Sequence, residues 1–305
     1  MAAASLARHK LSQLAVTFTR SHAADAVAVS RRSAASGRWM GTWSKVRPRR
    51  IRLITMDITG TIVSFRGTLE QHYVGAAAKC GVTGVDSTKI SNAFGQAYKE
   101  TCEAYPCFGG DRITAKQWWK ECVVKSFRYT GVVMDEATED QVFQRIYSTF
   151  GSNAAYEIFP DALPFLKWAQ RSGLVCGVLS NADERYGDSI LPMLGLTHDD
   201  LQFQCFSKDL KLEKPDARVF MSAIKAGEPF LLGNDDPCDP GEVLHIGNDF
   251  RKDFEGARRV GIHSVLLDRY GETEHAAEWR RRGAVVHTDL LDVVEWLGRS
   301  GCKFG

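Results

Sequence analysis

Apolar and polar positions along this chain alternate in blocks. Five short apolar runs, most of them rich in branched residues, stand out: Ile51–Met56, Leu174–Leu179, Gln202–Phe206, Val243–Ile246 and Ser264–Leu267. Helix-period segments separate them, an alternation that predicts a parallel sheet wrapped by helices. Ala284–His287 predicts an edge strand and Leu290–Leu297 a closing helix. A further helix is expected over Ala162–Arg171, with Asp161 ahead of it, Pro164 in its first turn and Gly173 just past its end.

Between the first run and the second lie four helix-period segments and no convincing strand: Glu70–Cys80, Ser87–Tyr105, Ala115–Thr130 and Glu136–Phe150. A crossover between parallel strands needs one helix, so the surplus predicts an inserted helical subdomain after the first strand. Trp118 and Trp119 fall in its third segment. Adjacent positions suit one ring facing the subdomain core and the other the groove, although a structural role for both is the simpler reading. The fold expected is therefore α/β: a Rossmann-like parallel sheet core from 49–66 and 156–300, with a four-helix cap from 67–155. Gly227–Glu242, with its Gly233-Asn234-Asp235-Asp236-Pro237 segment, reads as a long polar inserted loop.

Composition changes this picture mainly at one end. The chain has 305 residues, 44% hydrophobic, and a formal net charge of +2, so it can bury a full core and carries no overall charge that would draw it to nucleic acid or acidic membranes. Locally, residues 1–48 hold Asp25 as their sole acid against Arg8, Lys10, Arg20, Arg31, Arg32, Arg38, Lys45 and Arg47, among many Ala and Ser. That is transit-peptide composition, and a helix over Ala4–Arg20 would gather Leu11, Leu14 and Phe18 on one face. A mitochondrial location is expected, with plastid or cytoplasm as alternatives; a basic arm touching nucleic acid is the competing reading of the same residues. No run is long and apolar enough to span a bilayer. The eight cysteines form no CxxC pair and read as reduced thiols, mostly buried. Cys102 and Cys107 have no nearby His pair that would make them metal ligands.

In open parallel sheets, ligands and catalytic groups gather beyond the carboxyl ends of the strands. There the chain places Asp57-Ile58-Thr59-Gly60-Thr61 after its first run, a carboxylate followed by a glycine that permits a sharp turn. Such an Asp can attack phosphorus and become an aspartyl phosphate. Ser180 and Asn181 end the second run and suit a phosphoryl oxygen, while Lys214 offers a cation to offset phosphate charge. The fourth run opens into Gly247-Asn248-Asp249 and then Asp253, oxygen ligands of the hard kind that Mg2+ prefers. Singly each is more often a cap or a solvated residue; four in order, each beyond a different strand, point to one site.

These residues resemble the haloacid dehalogenase superfamily, whose motifs are an Asp-x-Asp-Gly-Thr loop, a Ser or Thr after the second strand, a Lys, and an acidic pair after the fourth. Ile51–Thr61, Gln117-Trp118-Trp119 and Phe250–Gly261 are similar to the haloacid dehalogenase-like hydrolase domain-containing protein 3 group. The resemblance covers residues 50–297 and implies a Mg2+-dependent phosphatase of a small phosphorylated metabolite. It implies Asp57 as nucleophile and metal ligand, the Thr59 carbonyl as a second ligand, and Asn248, Asp249 and Asp253 as the rest of the metal set. It further implies Ser180 and Lys214 as catalytic phosphate holders, with Thr61 and Asn181 joining them in binding substrate.

Two departures bear on activity. The family's second Asp, which protonates the leaving group, is Thr59 here, and a missing general acid costs about 10²- to 10⁴-fold in rate. Asn248 stands where a carboxylate is usual, removing one charge from the metal set. The expected activity is therefore slow or specialised hydrolysis through an aspartyl phosphate, and the alternative is a phosphate-binding module that no longer hydrolyses. A cap residue such as Glu70, Glu100 or Asp111 reaching the leaving group would favour the first, and Phe108-Gly109-Gly110 is a cap loop with the freedom to approach the site. A dinucleotide oxidoreductase would need a glycine-rich turn after the first strand, which the Asp57–Thr61 segment is not. Carbon–halogen hydrolysis, also found in the superfamily, has no matching feature beyond the nucleophile. His245, inside an apolar strand, reads as a satisfied core residue, and Arg280-Arg281-Arg282 as a solvated helix end. Substrate and oligomeric state stay open.

Overall fold

The computed structural model describes residues 50–304 apart from 232–236, 270 and 272, and apart from the side chains of 273 and 274. The basic extension of residues 1–48 with its expected address, and residues 233–236 of the polar loop, lie outside the described residues. The elements in chain order are β1 (Arg50–Ile51), β2 (Leu53–Met56), β3 (Val63–Phe65), α1 (Leu69–Lys79), α2 (Ser87–Ala104), α3 (Ala115–Tyr129), α4 (Glu136–Thr149) and β4 (Tyr156–Ile158). There follow α5 (Ala162–Arg171), β5 (Val175–Ser180), β6 (Phe203–Phe206), α6 (Ala217–Gly227), β7 (Val243–Gly247), β8 (His263–Leu267), α7 (Thr273–Arg281), β9 (Val285–His287), α8 (Leu290–Arg299) and β10 (Lys303–Phe304).

Six strands make one parallel sheet in the order β6-β5-β2-β7-β8-β9. Its central strand β2 is buried on both faces, which is why its residues form a continuous apolar run and not an alternation. Ile54 and Met56 pack with Phe165, Leu166 and Val293 of α5 and α8, whereas Leu53 packs with Val219, Phe220 and Ala223 of α6. The structural neighbours and this sheet agree with the α/β expectation.

Two details correct the sequence reading. The first apolar run is split: Arg50 and Ile51 pair with Lys303 and Phe304 in a separate two-stranded ladder, and only Leu53–Met56 enters the main sheet. The cap also does not leave directly from the first strand. Chain leaves and returns through an antiparallel stem, with Val63 opposite Ile158 and Phe65 opposite Tyr156. Asp161, expected to start α5, makes no side-chain cap bond there. Its Oδ2 instead accepts from the Leu290 amide at 2.6 Å and from Arg269 at 2.5 Å, tying α5, α8 and the β8 exit together.

The four cap helices start where side chains satisfy their first amides. Thr68 with Gln71 and Thr114 with Gln117 form reciprocal capping boxes, and Asp86 and Asp135 cap α2 and α4. Their inward faces build a separate core around Tyr73, Trp118, Phe127 and Phe143. Trp118 is fully buried and donates from its indole nitrogen to the Tyr105 carbonyl at 2.8 Å. Lys208, just beyond β6, holds the cap loop to the sheet domain by donating to the carbonyls of Phe108 (3.1 Å), Gly110 (2.7 Å) and Ile113 (2.8 Å). Among the described residues, no helix is long and apolar enough to cross a membrane.

Removing the Trp118 ring leaves a void in the cap core and takes one donor from the Tyr105 carbonyl, so Trp118→Ala is expected to destabilise by about 3–5 kcal/mol. A urea unfolding midpoint that does not move would contradict this packing.

Candidate active site

Asp57 lies just past the end of β2, its amide donating to the Ile246 carbonyl of β7 at 2.9 Å. The chain then turns back on itself: the amides of Thr61, Ile62 and Val63 all donate to the Ile58 carbonyl, and Gly60 sits at φ +82°. A Cβ on Gly60 would overlap the Asn248 side-chain amide, so the turn demands glycine for space as well as for backbone angle. Gly247 is constrained in the same way, because a Cβ there would run into the Asp253 carboxylate.

Three charges meet at the strand ends. Lys214 Nζ donates to Asp57 Oδ1 at 2.8 Å and to Asp253 Oδ1 at 2.6 Å. Lys214 and Asp253 side chains are 2% and 1% exposed, Asp57 14%. Asp253 is saturated: Oδ1 also accepts from His245 Nε2 at 3.1 Å, and Oδ2 accepts from the amides of Asn248 (3.0 Å) and Asp249 (2.8 Å). Burial works against the Asp253 charge, but the Lys214 ammonium and the His245 bond outweigh it and hold the carboxyl far below the usual range. Burial likewise opposes the Lys214 charge and the two carboxylates override it, raising its pKa. His245 is pushed down by burial, so its ring is neutral. With Nε2 donating to Asp253, Nδ1 accepts from the Thr55 hydroxyl at 2.8 Å. His245 is thus the satisfied core residue expected, but one that holds a site carboxylate.

Other candidates divide into those facing the cavity and those behind it. A cavity of about 220 Å³ between sheet and cap is lined by Asp57, Thr59, Ser180, Asn181, Lys214, Asn248, Asp249 and Asp253. Asn181, expected as a phosphate donor, is spent on the backbone of Lys214: its Nδ2 donates to the Lys214 carbonyl at 3.0 Å and its Oδ1 accepts from the Lys214 amide at 2.7 Å. Thr61 is fully buried and outside the lining, beneath the turn where its carbonyl accepts from Arg269. Asp253 lines the cavity with both oxygens already filled by four hydrogen bonds, and in this arrangement it orients the loop. Asp249 caps the following turn with Oδ1 and has a carboxyl raised by burial, with Lys252 acting in opposition.

The cap acids expected to approach the leaving group are turned elsewhere: Glu70 accepts from Ser91, Glu100 from Tyr129, and Asp111 pairs with Lys211 at 2.6 Å. None of the three lines the cavity. Phe108 of the cap loop does, and so does Trp119, whose indole nitrogen donates to Asp183 at 2.6 Å across the cap–sheet divide. Asp183 holds Arg185 in a two-pronged pair (2.9 and 2.8 Å), and Tyr186 bonds the Thr59 hydroxyl at 3.0 Å. The sequence reading passed over Asp183, Arg185 and Tyr186, although their position directly after Ser180-Asn181, beyond a strand's carboxyl end, was the signal that finds them. Half of the eight cysteines are buried and all are free.

A family model for haloacid dehalogenase-like hydrolases matches residues 51–261. The chain belongs to that family. Haloacid dehalogenase-like hydrolase domain-containing protein 3 of Mus musculus is 32% identical over 219 residues, covering 71% of this chain and 82% of that protein. Among solved structures, the fold is similar to a HAD phosphatase from Thermococcus onnurineus (TM-score 0.51, 19% identity, 81% of this chain and 98% of that one). It is similar also to L-2-haloacid dehalogenase from Xanthobacter autotrophicus (TM-score 0.56, 18% identity, 82% and 98%). Those two likenesses concern the fold.

Asp253→Ala is expected to cost about 3–5 kcal/mol of stability by leaving a buried cation half paired, read from chemical denaturation; a cost below about 1 kcal/mol would contradict the network. The pH dependence has a defined sign. Burial lowers the pKa of His245, His263 and His287, so the folded state resists their protonation. Their contribution is complete above the unfolded value of about 6.5 and is lost as pH falls toward the depressed folded values. Unfolding free energy should therefore decline from about pH 6.5 downward, and less steeply in His263→Asn/His287→Asn; identical slopes would refute this source.

Proposed function

We propose that this hydrolase is a Mg2+-dependent phosphatase that forms an aspartyl phosphate on Asp57 and turns over slowly. The observation that carries the reading is the contrast between two carboxylates on one lysine. Asp253 has both oxygens filled, whereas Lys214 is the single hydrogen-bond partner of the Asp57 carboxylate among the described residues, and Asp57 faces the cavity. A carboxylate held by one cation with its other oxygen open is oriented to attack. That oxygen forms the bond to phosphorus, the bond from phosphorus to the ester oxygen breaks, and its electron pair leaves with that oxygen. Lys214 balances the charge gathered on Asp57 and the phosphoryl oxygens, and the Ser180 hydroxyl, at the cavity wall, is in place to hold one of them. Water then attacks the phosphorus of the aspartyl phosphate and releases inorganic phosphate.

The donor set fits Mg2+. Among the described residues no cluster of three or more His, Cys, Asp or Glu is placed to hold a metal. The cavity floor offers instead two carboxylates, Asp57 and Asp249, with the Asn248 amide and the Thr59 backbone, all oxygen donors. Mg2+ is commonly held by one or two carboxylates, waters and substrate phosphate. Bound there, Mg2+ would supply neutralisation of phosphoryl charge.

Thr59 supports slow turnover and also motivates the second reading, a phosphate-binding module that retains the pocket without hydrolysis. A threonine hydroxyl is no general acid near neutral pH, and its partner Tyr186 is a phenol whose pKa burial raises. Phosphate release from phosphomonoesters by the full-length protein is expected to require both Mg2+ and Asp57, with Asp57→Asn reduced to background. Equal silence of wild type and variant, while phosphate still protects the wild type against thermal unfolding, would favour the binding module.

A further inference from the structure

The cavity is chemically divided between its two halves. The lining residues contributed by the stem and cap, from Phe65 to Tyr156, are aliphatic or aromatic, their polar atoms being the Trp119 indole nitrogen and the phenols of Tyr73, Tyr98, Tyr147 and Tyr156, and every charged lining residue comes from the sheet domain. Phe94, Phe108, Trp119 and Phe143 stand on that apolar side. Two polar groups there are already committed: the Trp119 nitrogen is bonded to Asp183, and the Arg185 guanidinium in the lining is neutralised by Asp183 while it lies over the Tyr147 ring at 4.2 Å. A leaving group rich in hydroxyls or carrying its own charge would meet few partners on this wall beyond the tyrosine hydroxyls, and each of its polar groups buried unpaired would cost about 1–3 kcal/mol.

The second constraint is independent and comes from the nucleophile loop. At the position two residues beyond Asp57 the chain has Thr59, bonded to Tyr186, and the cap acids Glu70, Glu100 and Asp111 are engaged away from the cavity. A leaving group that departs without a proton must be stable as an anion. A phenol, with a pKa of about 10, is; an alkanol, about as weak an acid as water at about 15.7, is not.

We propose that the substrates are aryl phosphates, with a compact, uncharged aromatic alcohol as the leaving group seated against the cap. This rests on the phosphatase reading and names its substrate class. The space agrees: a cavity of about 150 Å³ takes one benzene ring, and about 220 Å³ leaves room for one ring beside the phosphoryl group. In the first step Asp57 takes the phosphoryl group and the phenolate carries away the bonding pair, taking its proton from water. In the second, water releases phosphate and restores the carboxylate.

Three probes of similar ring size separate the two constraints when assayed with full-length protein and Mg2+: phenyl phosphate, cyclohexyl phosphate and glucose 6-phosphate. Phenyl and cyclohexyl phosphate differ mainly in leaving-group acidity, and with no acid to level them kcat/KM, which reports the phosphorylation step, is expected to differ by about 10²-fold or more. Cyclohexyl and glucose phosphate both release an alkanol, so kcat/KM should favour the apolar ring by about 10-fold or more through the cavity wall alone. Glucose 6-phosphate turned over with the kcat/KM of either other ester, or phenyl and cyclohexyl phosphate at equal kcat/KM, would overturn the aryl assignment while leaving Asp57-dependent hydrolysis intact. No release from any of the three, with Asp57→Asn indistinguishable from wild type, would remove the phosphatase reading and this one with it.

Discussion

Everything at this site is arranged around one buried ammonium. Lys214 sits between Asp57 and Asp253, and a cation taken out of water survives only if its partners return what desolvation removes. Asp253 does most of that work, and it is itself kept in place by His245 and two backbone amides. The consequence is asymmetry. One carboxylate is saturated and structural; the other shares the same cation from the cavity side with one oxygen uncommitted.

That arrangement dictates the surrounding backbone. Gly247 has no side chain because the Asp253 carboxylate occupies the space, and Gly60 has none because Asn248 does. Asn181 spends both ends of its amide on the Lys214 backbone, so the lysine is fixed at its root as well as at its tip. The cap is positioned by a different set of contacts, the Lys208 ammonium on three cap carbonyls and the Trp119 indole on Asp183. Charge therefore stays on the sheet side, and the cap brings mainly aromatic surface to the same cavity.

Much of this was legible in the sequence for identifiable reasons. The strands of the main sheet are buried on both faces and read as apolar runs, and the cap helices carry capping boxes and Asp caps that announce their starts. The strand-end rule gathers Asp57, Ser180, Lys214 and Asp253 from the sequence alone. What failed were features without periodicity. Strands of two or three residues, such as Arg50–Ile51 and Val63–Phe65, are too short to show a pattern, so the split first strand and the cap stem were missed. Asn181 and Asp161 have the roles usual for their positions pre-empted by long-range partners, Lys214 and Leu290, and Thr61 is buried beneath the turn, outside the cavity lining. Tyr186 lies 127 residues from Thr59 in the chain, and only the folded structure brings the two hydroxyls together.

The central claim is that Asp57 becomes covalently phosphorylated. It is tested most directly by quenching the enzyme with acid during turnover of phenyl phosphate and locating the modification by peptide mass spectrometry. The account predicts one added phosphoryl group on the peptide that contains Asp57, lost on treatment with hydroxylamine and present in high yield because Thr59 slows its release. Steady phosphate production with the Asp57 peptide unmodified at every quench time would contradict it.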